Sequence, residues 1–226
     1  VRDVFKRLSP RGLAAAAQGN APSAQTHIPE TGLLPALPIQ RTFIDLGGSL
    51  RQFNQSVLLR APKGASVKQV EAHLNQLRQH HAALRLRQSN ELRYEFVIDA
   101  DETLSPLILS HVDHSSEGNV AFEHKLRETL DTHAAQLDPS KSGSVLAASW
   151  ITGPQYDVLA LTIHHFSIDG VSWRILIEDL SALHQGIPLF EVPTPLRAWS
   201  TQLSEEAKSG YYRSQCQRWM KQLEAI

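Results

Sequence analysis

Cysteine is nearly absent: Cys216 is the only one in 226 residues. A chain with one cysteine has no internal disulfide and fits a reducing cytoplasm. Cys216 sits in a polar helical stretch with no motif around it. An excess of charge of one sign is also lacking. Lys and Arg total 22 against 23 Asp and Glu, for a formal net charge of −1. No basic surface points to nucleic acid. No apolar run reaches the ~18 residues of a membrane span. The opening Val1-Arg2-Asp3-Val4-Phe5 lacks a signal-peptide pattern and reads as the interior of a longer protein. Repeats and long low-complexity tracts are missing. Gly47-Gly48 reads as a loop, since no strand, glycine-rich turn and helix surround it. What remains is ordinary apolar content, 42 %, enough for a real core at this length.

Helices and strands alternate along the chain. Residues 1 to 18 read as a short amphipathic helix, and residues 19 to 32, with Pro22 and Pro29, as a linker. Pro38 suits a first helical turn, where its missing N–H is not needed. Phe53 to Arg60 reads as the first strand. Ser66 opens a helix with Gln69 as its capping partner, and Val67, Val70, Leu74 and Leu77 follow at helical spacing. Leu84–Arg87 and Leu92–Phe96 alternate around Ser89-Asn90 as a hairpin. Leu107–Leu109 reads as a short strand, Val120 to Gln136 as a helix, and Val145–Ile151 and Asp157–His165 as paired strands. Leu196 to Ile226 adds one or two helices with Trp199, Leu203, Trp219, Met220 and Leu223 as buried positions. This pattern predicts an α/β sandwich with a mixed sheet.

The chemistry concentrates in His164-His165-Phe166-Ser167-Ile168-Asp169-Gly170. A buried strand, Val158–Ile163, precedes it and a helix follows. Neighbouring side chains on a strand point to opposite faces. One histidine can face the core while the other faces an open site. Histidine moves protons near neutral pH, and Asp-Gly supplies a turn and a fixed carboxylate. A metal is not expected at His164, His165 and Asp169 or at His80 and His81. Adjacent histidines point apart, and no cysteine or His-x-x-x-His pattern supports zinc. His111, His114, His124 and His133 sit at polar positions and read as solvated.

The order strand, His-His-x-x-x-Asp-Gly, helix resembles the signature of condensation-type domains of nonribosomal peptide synthetases. The continuation Gly170-Val171-Ser172-Trp173-Arg174-Ile175-Leu176-Ile177-Glu178-Asp179-Leu180 is similar to the epimerization branch, as is Asn54-Gln55 at the head of the first strand. Pro38-Ile39-Gln40 resembles the family's opening motif, with Thr42 where an aromatic is common. The resemblance implies a chloramphenicol-acetyltransferase-like sandwich lobe, with a mixed sheet and flanking helices. Residues 1–18 then resemble the end of an upstream peptidyl carrier domain, 19–32 a linker and 33–226 the N-terminal lobe of an epimerization or condensation domain. The second lobe is expected to be absent.

The resemblance also implies the roles. His165 is the catalytic residue. His164, Asp169, Gly170 and Arg85 support it: Asp169 pairs with Arg85 to hold the loop, and Gly170 gives the turn backbone freedom. Trp173 packs. The substrate is an aminoacyl or peptidyl thioester on the 4′-phosphopantetheine of a carrier domain, with no cofactor bound directly. The implied activity is inversion of the α-carbon in the cytoplasm, away from membrane and nucleic acid. A glutamate on the second lobe is the partner of His165, so this fragment alone is expected to be inactive. Peptide-bond formation, acyl transfer from coenzyme A and a non-catalytic carrier-docking module are the competing readings.

Overall fold

A computed structural model describes residues 30–47 and 53–224. The helix expected over residues 1–18, and the linker up to residue 29, lie outside these. At the centre, β6 (Leu146–Thr152) and β7 (Val158–His164) pair antiparallel, Leu146 opposite Ile163 and Ile151 opposite Val158. Both are almost wholly buried, which explains their continuous apolar reading. β2 (Asn54–Arg60) pairs antiparallel on the other side of β7, and β5 (Ser110–Asp113) runs parallel to β6. The sheet order is β2-β7-β6-β5, mixed as the sequence suggests.

Alternation along β7 divides the core into two layers. Leu159, Leu161 and Ile163 face α2 (Val67–His80) and α4 (Gly170–His184), meeting Val70, Leu74, Leu77, Trp173 and Leu176. Val158 and Ala160 face α3 (Asn119–Gln136), meeting Phe122 and Leu126. Each buried Val, Leu, Ile or Phe side chain contributes about 1.5–3 kcal/mol. Ser66 caps α2 by accepting from the Gln69 N–H at 3.2 Å. No helix among the described residues is long and apolar enough to cross a membrane.

A second sheet was not expected. β1 (Gly32–Pro35), β4 (Glu95–Ile98) and β3 (Leu86–Gln88) pair antiparallel in the order β1-β4-β3. Leu34, Leu86, Phe96 and Ile98 form its core together with Phe166 from the histidine motif. α1 (Pro38–Leu46) follows β1 and ends at Gly47 in the left-handed region, φ 68°. The β3–β4 hairpin is shorter than its alternation suggests, because Leu84 and Arg85 belong to a 3-10 turn over Ala82–Arg85. β5 starts one residue after Leu109, whose side chain enters the core.

The C-terminal helices correct another expectation. α5 (Leu196–Lys208) packs on β1 and α6 (Gly210–Leu223) on α5. Trp199 (48 %), Trp219 (62 %), Met220 (53 %) and Leu223 (64 %) are exposed, not buried. Helical spacing identifies an apolar face without saying what covers it.

Gly153, in the β6–β7 turn, has no room for a side chain. A Cβ there would collide with Phe122 Cζ and lie 2.6 Å from the Tyr156 carbonyl oxygen. Gly153→Ala is expected to lower unfolding stability by about 1–3 kcal/mol. Gly210→Ala, where a Cβ meets nothing within 4 Å, should leave it unchanged. Denaturant melts of the two variants check this.

Candidate active site

β7 ends at His164, which turns inward and is fully buried. The Phe166 N–H donates to its Nδ1 at 3.1 Å, so Nδ1 carries no proton. His165 lies on the opposite side, half-buried, at the edge of a cleft of about 350 Å3 that Leu37, Ile39, Phe53 and Ser172 also line. Its ring stacks on Phe53, centroids 4.6 Å apart, and Phe53 stacks on Phe43 at 3.8 Å. The His165 backbone N–H donates to the Phe53 carbonyl at 2.8 Å. Nδ1 of His165 lies 2.6 Å from the Ile168 carbonyl oxygen. A carbonyl only accepts, so Nδ1 carries the proton of the neutral ring. Nε2 keeps its lone pair and meets the Gln55 amide nitrogen at 3.0 Å. The ring is held in plane, in tautomer and in orientation, as a group that accepts a proton must be.

Gln40, from the Pro-Ile-Gln run, braces this loop. Its Oε1 accepts from the Leu37 N–H at 2.8 Å and its Nε2 donates to the Phe166 carbonyl at 2.9 Å. One buried side chain thereby fixes the start of α1 and the histidine loop together.

The expected Asp169–Arg85 ion pair does not form. Asp169 is the N-cap of α4: its Oδ1 accepts from the Val171 N–H (3.0 Å), the Ser172 N–H (2.7 Å) and the Ser172 hydroxyl (2.7 Å). The Ser172 bonds, reinforced by Val171 and the nearby His165, hold its carboxyl below the usual carboxylate range. Arg85 is buried and its donors are used elsewhere. Nε donates to the Arg78 carbonyl (3.1 Å), Nη1 to the Asp99 carbonyl (2.6 Å) and Nη2 to Glu30 (3.0 Å). Arg85 ties the end of α2 to the end of β4. Gly170 is corrected as well. It is the first residue of α4, its φ is not positive, and a Cβ there would meet nothing within 4 Å. The turn does not need glycine.

The condensation-domain family matches residues 30–226. The chain belongs to that family. It is 30% identical over 217 residues to nonribosomal peptide synthetase 5 of Gibberella zeae, covering 88% of this chain and 2% of that protein. Surfactin synthase subunit 1 of Bacillus subtilis is 33% identical over 162 residues, 69% of this chain and 4% of that one. Among solved structures, the epimerization domain from the third module of tyrocidine synthetase B superposes with a TM-score of 0.77 at 27% identity, over 90% of this chain and 47% of that one. A condensation domain of the enacyloxin polyketide synthase shares the fold at 17% identity and a TM-score of 0.67, over 97% of this chain and 46% of that one. The chain spans about half the length of these solved domains and a few per cent of the synthetases.

Sequence reasoning missed several groups around His165. Phe43, Phe53 and Gln40 act across long chain separations. Asn54-Gln55 reads in sequence only as a family marker, yet Gln55 touches His165. His133 is buried, not solvated. Its Nε2 lies 2.6 Å from the Ser149 hydroxyl and its Nδ1 3.2 Å from the Thr162 hydroxyl, and burial pushes its pKa down. The signal was its helical spacing from Phe122 and Leu126.

His80 and His81 do not point apart as expected. His80 ends α2, and His81 is its C-cap with φ −98° and ψ 102°, so the rings meet edge-on at 4.8 Å. With Asp179 they bring three ligand atoms within 4.8 Å of one another. Here His81 Nε2 bonds Asp179 directly at 2.8 Å and fastens α2 to α4.

A double-mutant cycle tests the reassignment of Asp169 and Arg85. Asp169→Ala should lose about 1 kcal/mol, the worth of an N-cap, and Asp169→Asn should keep most of it. Arg85→Ala should lose more, about 1–3 kcal/mol for each buried acceptor left unmet. The two losses should add to within about 0.5 kcal/mol; a larger coupling would show that the residues interact. The capping contribution should fade as pH falls through the lowered pKa of Asp169, and be complete above the carboxyl's unfolded value.

Proposed function

We propose that this chain is the histidine-bearing lobe of an epimerization domain. It acts in the cytoplasm on an aminoacyl or peptidyl thioester carried by the phosphopantetheine arm of a carrier domain. The observation that carries the reading is the His165 ring: stacked, fixed in tautomer with the acceptor nitrogen at Nε2, and standing at the edge of a cleft. The likeness to the tyrocidine epimerization domain supports it.

In this reading the Cα–H bond breaks and its electron pair moves into the thioester carbonyl, giving an enolate. One group takes the proton and another returns a proton to the opposite face. His165 is one of the two. The other comes from outside this chain, from a second lobe facing the cleft. Donors aimed at the enolate oxygen would supply further stabilisation. Asp169 does not touch the reaction; as a helix cap it fixes where α4 begins.

The competing reading is peptide-bond formation. There Nε2 takes a proton from an amine as it attacks the thioester carbon, and the thiol leaves. The family match and the synthetase relatives favour it as much as they favour epimerization.

Exchange of the α-proton for deuterium on an aminoacyl carrier protein separates the two. With both lobes present, exchange and inversion are expected. His165→Ala should reduce them by about 10²–10⁴-fold. The chain alone should not exchange. Peptide-bond formation with a second aminoacyl carrier, without α-exchange, would overturn the epimerization reading.

A further inference from the structure

Trp173, Gln55 and His165 form a chain of hydrogen bonds in which each link dictates the next. An indole N–H only donates. Trp173 Nε1 lies 3.0 Å from Gln55 Oε1, so that end of the amide is the oxygen and the other end is the NH2. The NH2 also only donates, and it lies 3.0 Å from His165 Nε2. Nε2 must therefore accept. The Ile168 carbonyl, 2.6 Å from Nδ1, takes the remaining ring proton. Turning the amide over would set donor against donor at the indole and lone pair against lone pair at the imidazole. The indole has no freedom to follow: Trp173 is buried in the core with Leu161 and Ile163, and Gln55 lies on β2 opposite Ile163.

We propose that Gln55 and Trp173 are positioning residues for His165: the indole N–H, acting through the amide, keeps the lone pair on Nε2. This rests on the reading of His165 as the proton-transferring group, and deepens it. During turnover the bond from the Gln55 NH2 to Nε2 gives way and Nε2 takes up a proton in its place. That new N–H then faces the Gln55 NH2, donor against donor. A free glutamine would turn and offer its oxygen. This one cannot without breaking the bond to Trp173. The charged ring is denied an acceptor and passes its proton on, which suits a group that must give as well as take.

The test uses the chain itself, 15N-labelled at histidine and followed by NMR across pH. The neutral His165 ring should carry its proton on Nδ1. Trp173→Phe keeps an aromatic ring in the core but removes the N–H. The amide is then free to turn, and its oxygen stabilises the protonated ring. The pH of half-protonation should rise relative to wild type by about one unit, a tenfold change. Gln55→Glu, which places an acceptor beside Nε2 without touching the core, should raise it also, and serves if Trp173→Phe does not fold. A proton on Nε2 of the neutral wild-type ring, or an unchanged half-protonation pH in the folded variants, overturns the proposal.

In the two-lobed protein, Trp173→Phe should move the acid limb of α-proton exchange to higher pH by the same amount, with KM for the aminoacyl carrier unchanged. Exchange that survives His165→Ala would sink the functional reading and leave the titration result standing. Exchange lost in His165→Ala but normal at every pH in Trp173→Phe would sink the positioning role alone.

Discussion

The register of β2 on β7 is the constraint on which the site depends. Asn54 stands opposite His164 and Gln55 opposite Ile163. The bond from the His165 N–H to the Phe53 carbonyl extends that pairing past the end of the strand. A slip of one residue would turn every side chain of β2 to the other face. Both faces resist it. Val57 and Leu59 pack into the core beneath α2 and α4, while the Ser56 hydroxyl meets that of Thr162 at 2.9 Å on the α3 side. A slipped strand would push serine into an apolar layer. The aromatic stack and the amide beside His165 are thus set by packing some distance from them.

The histidine motif has a mechanical role in the fold. Asp169 caps α4, which fixes the phase of the helix relative to the end of β7. Trp173 follows one turn later, its N–H bonded to the Asp169 carbonyl at 3.0 Å. From there its indole reaches back across the sheet to β2. The spacing His165, Asp169, Trp173 is a strand end, a cap and a first turn. Each step leaves the next side chain little choice of direction.

What the sequence disclosed was local. The apolar runs of β6 and β7, the period of α2 and α3, the Ser66 cap and the opposite directions of His164 and His165 follow from neighbours a few residues away. What it hid was contact between distant segments. Gln40 reaches Phe166, and Gln55 reaches both His165 and Trp173, across more than a hundred residues. Arg85 shows the same limit in another form. A buried arginine has five donors and takes whatever acceptors the fold brings; here these are backbone carbonyls and Glu30, not the motif aspartate. The apolar spacing of Trp219, Met220 and Leu223 was legible, but nothing in α6 itself says that its face is left open.

β2 is an edge strand of its sheet among the described strands, whereas β7 is interior. Opening free energies differ across a fold, from near zero at frayed margins to the global value in the core. His165 hangs from the part that opens last, and Phe53 and Gln55 from a part that can open first. Brief fraying of one margin would release the imidazole from its stack and its amide while the body of the lobe stays intact. Amide hydrogen exchange in the two strands would thus report two clocks running within a single site.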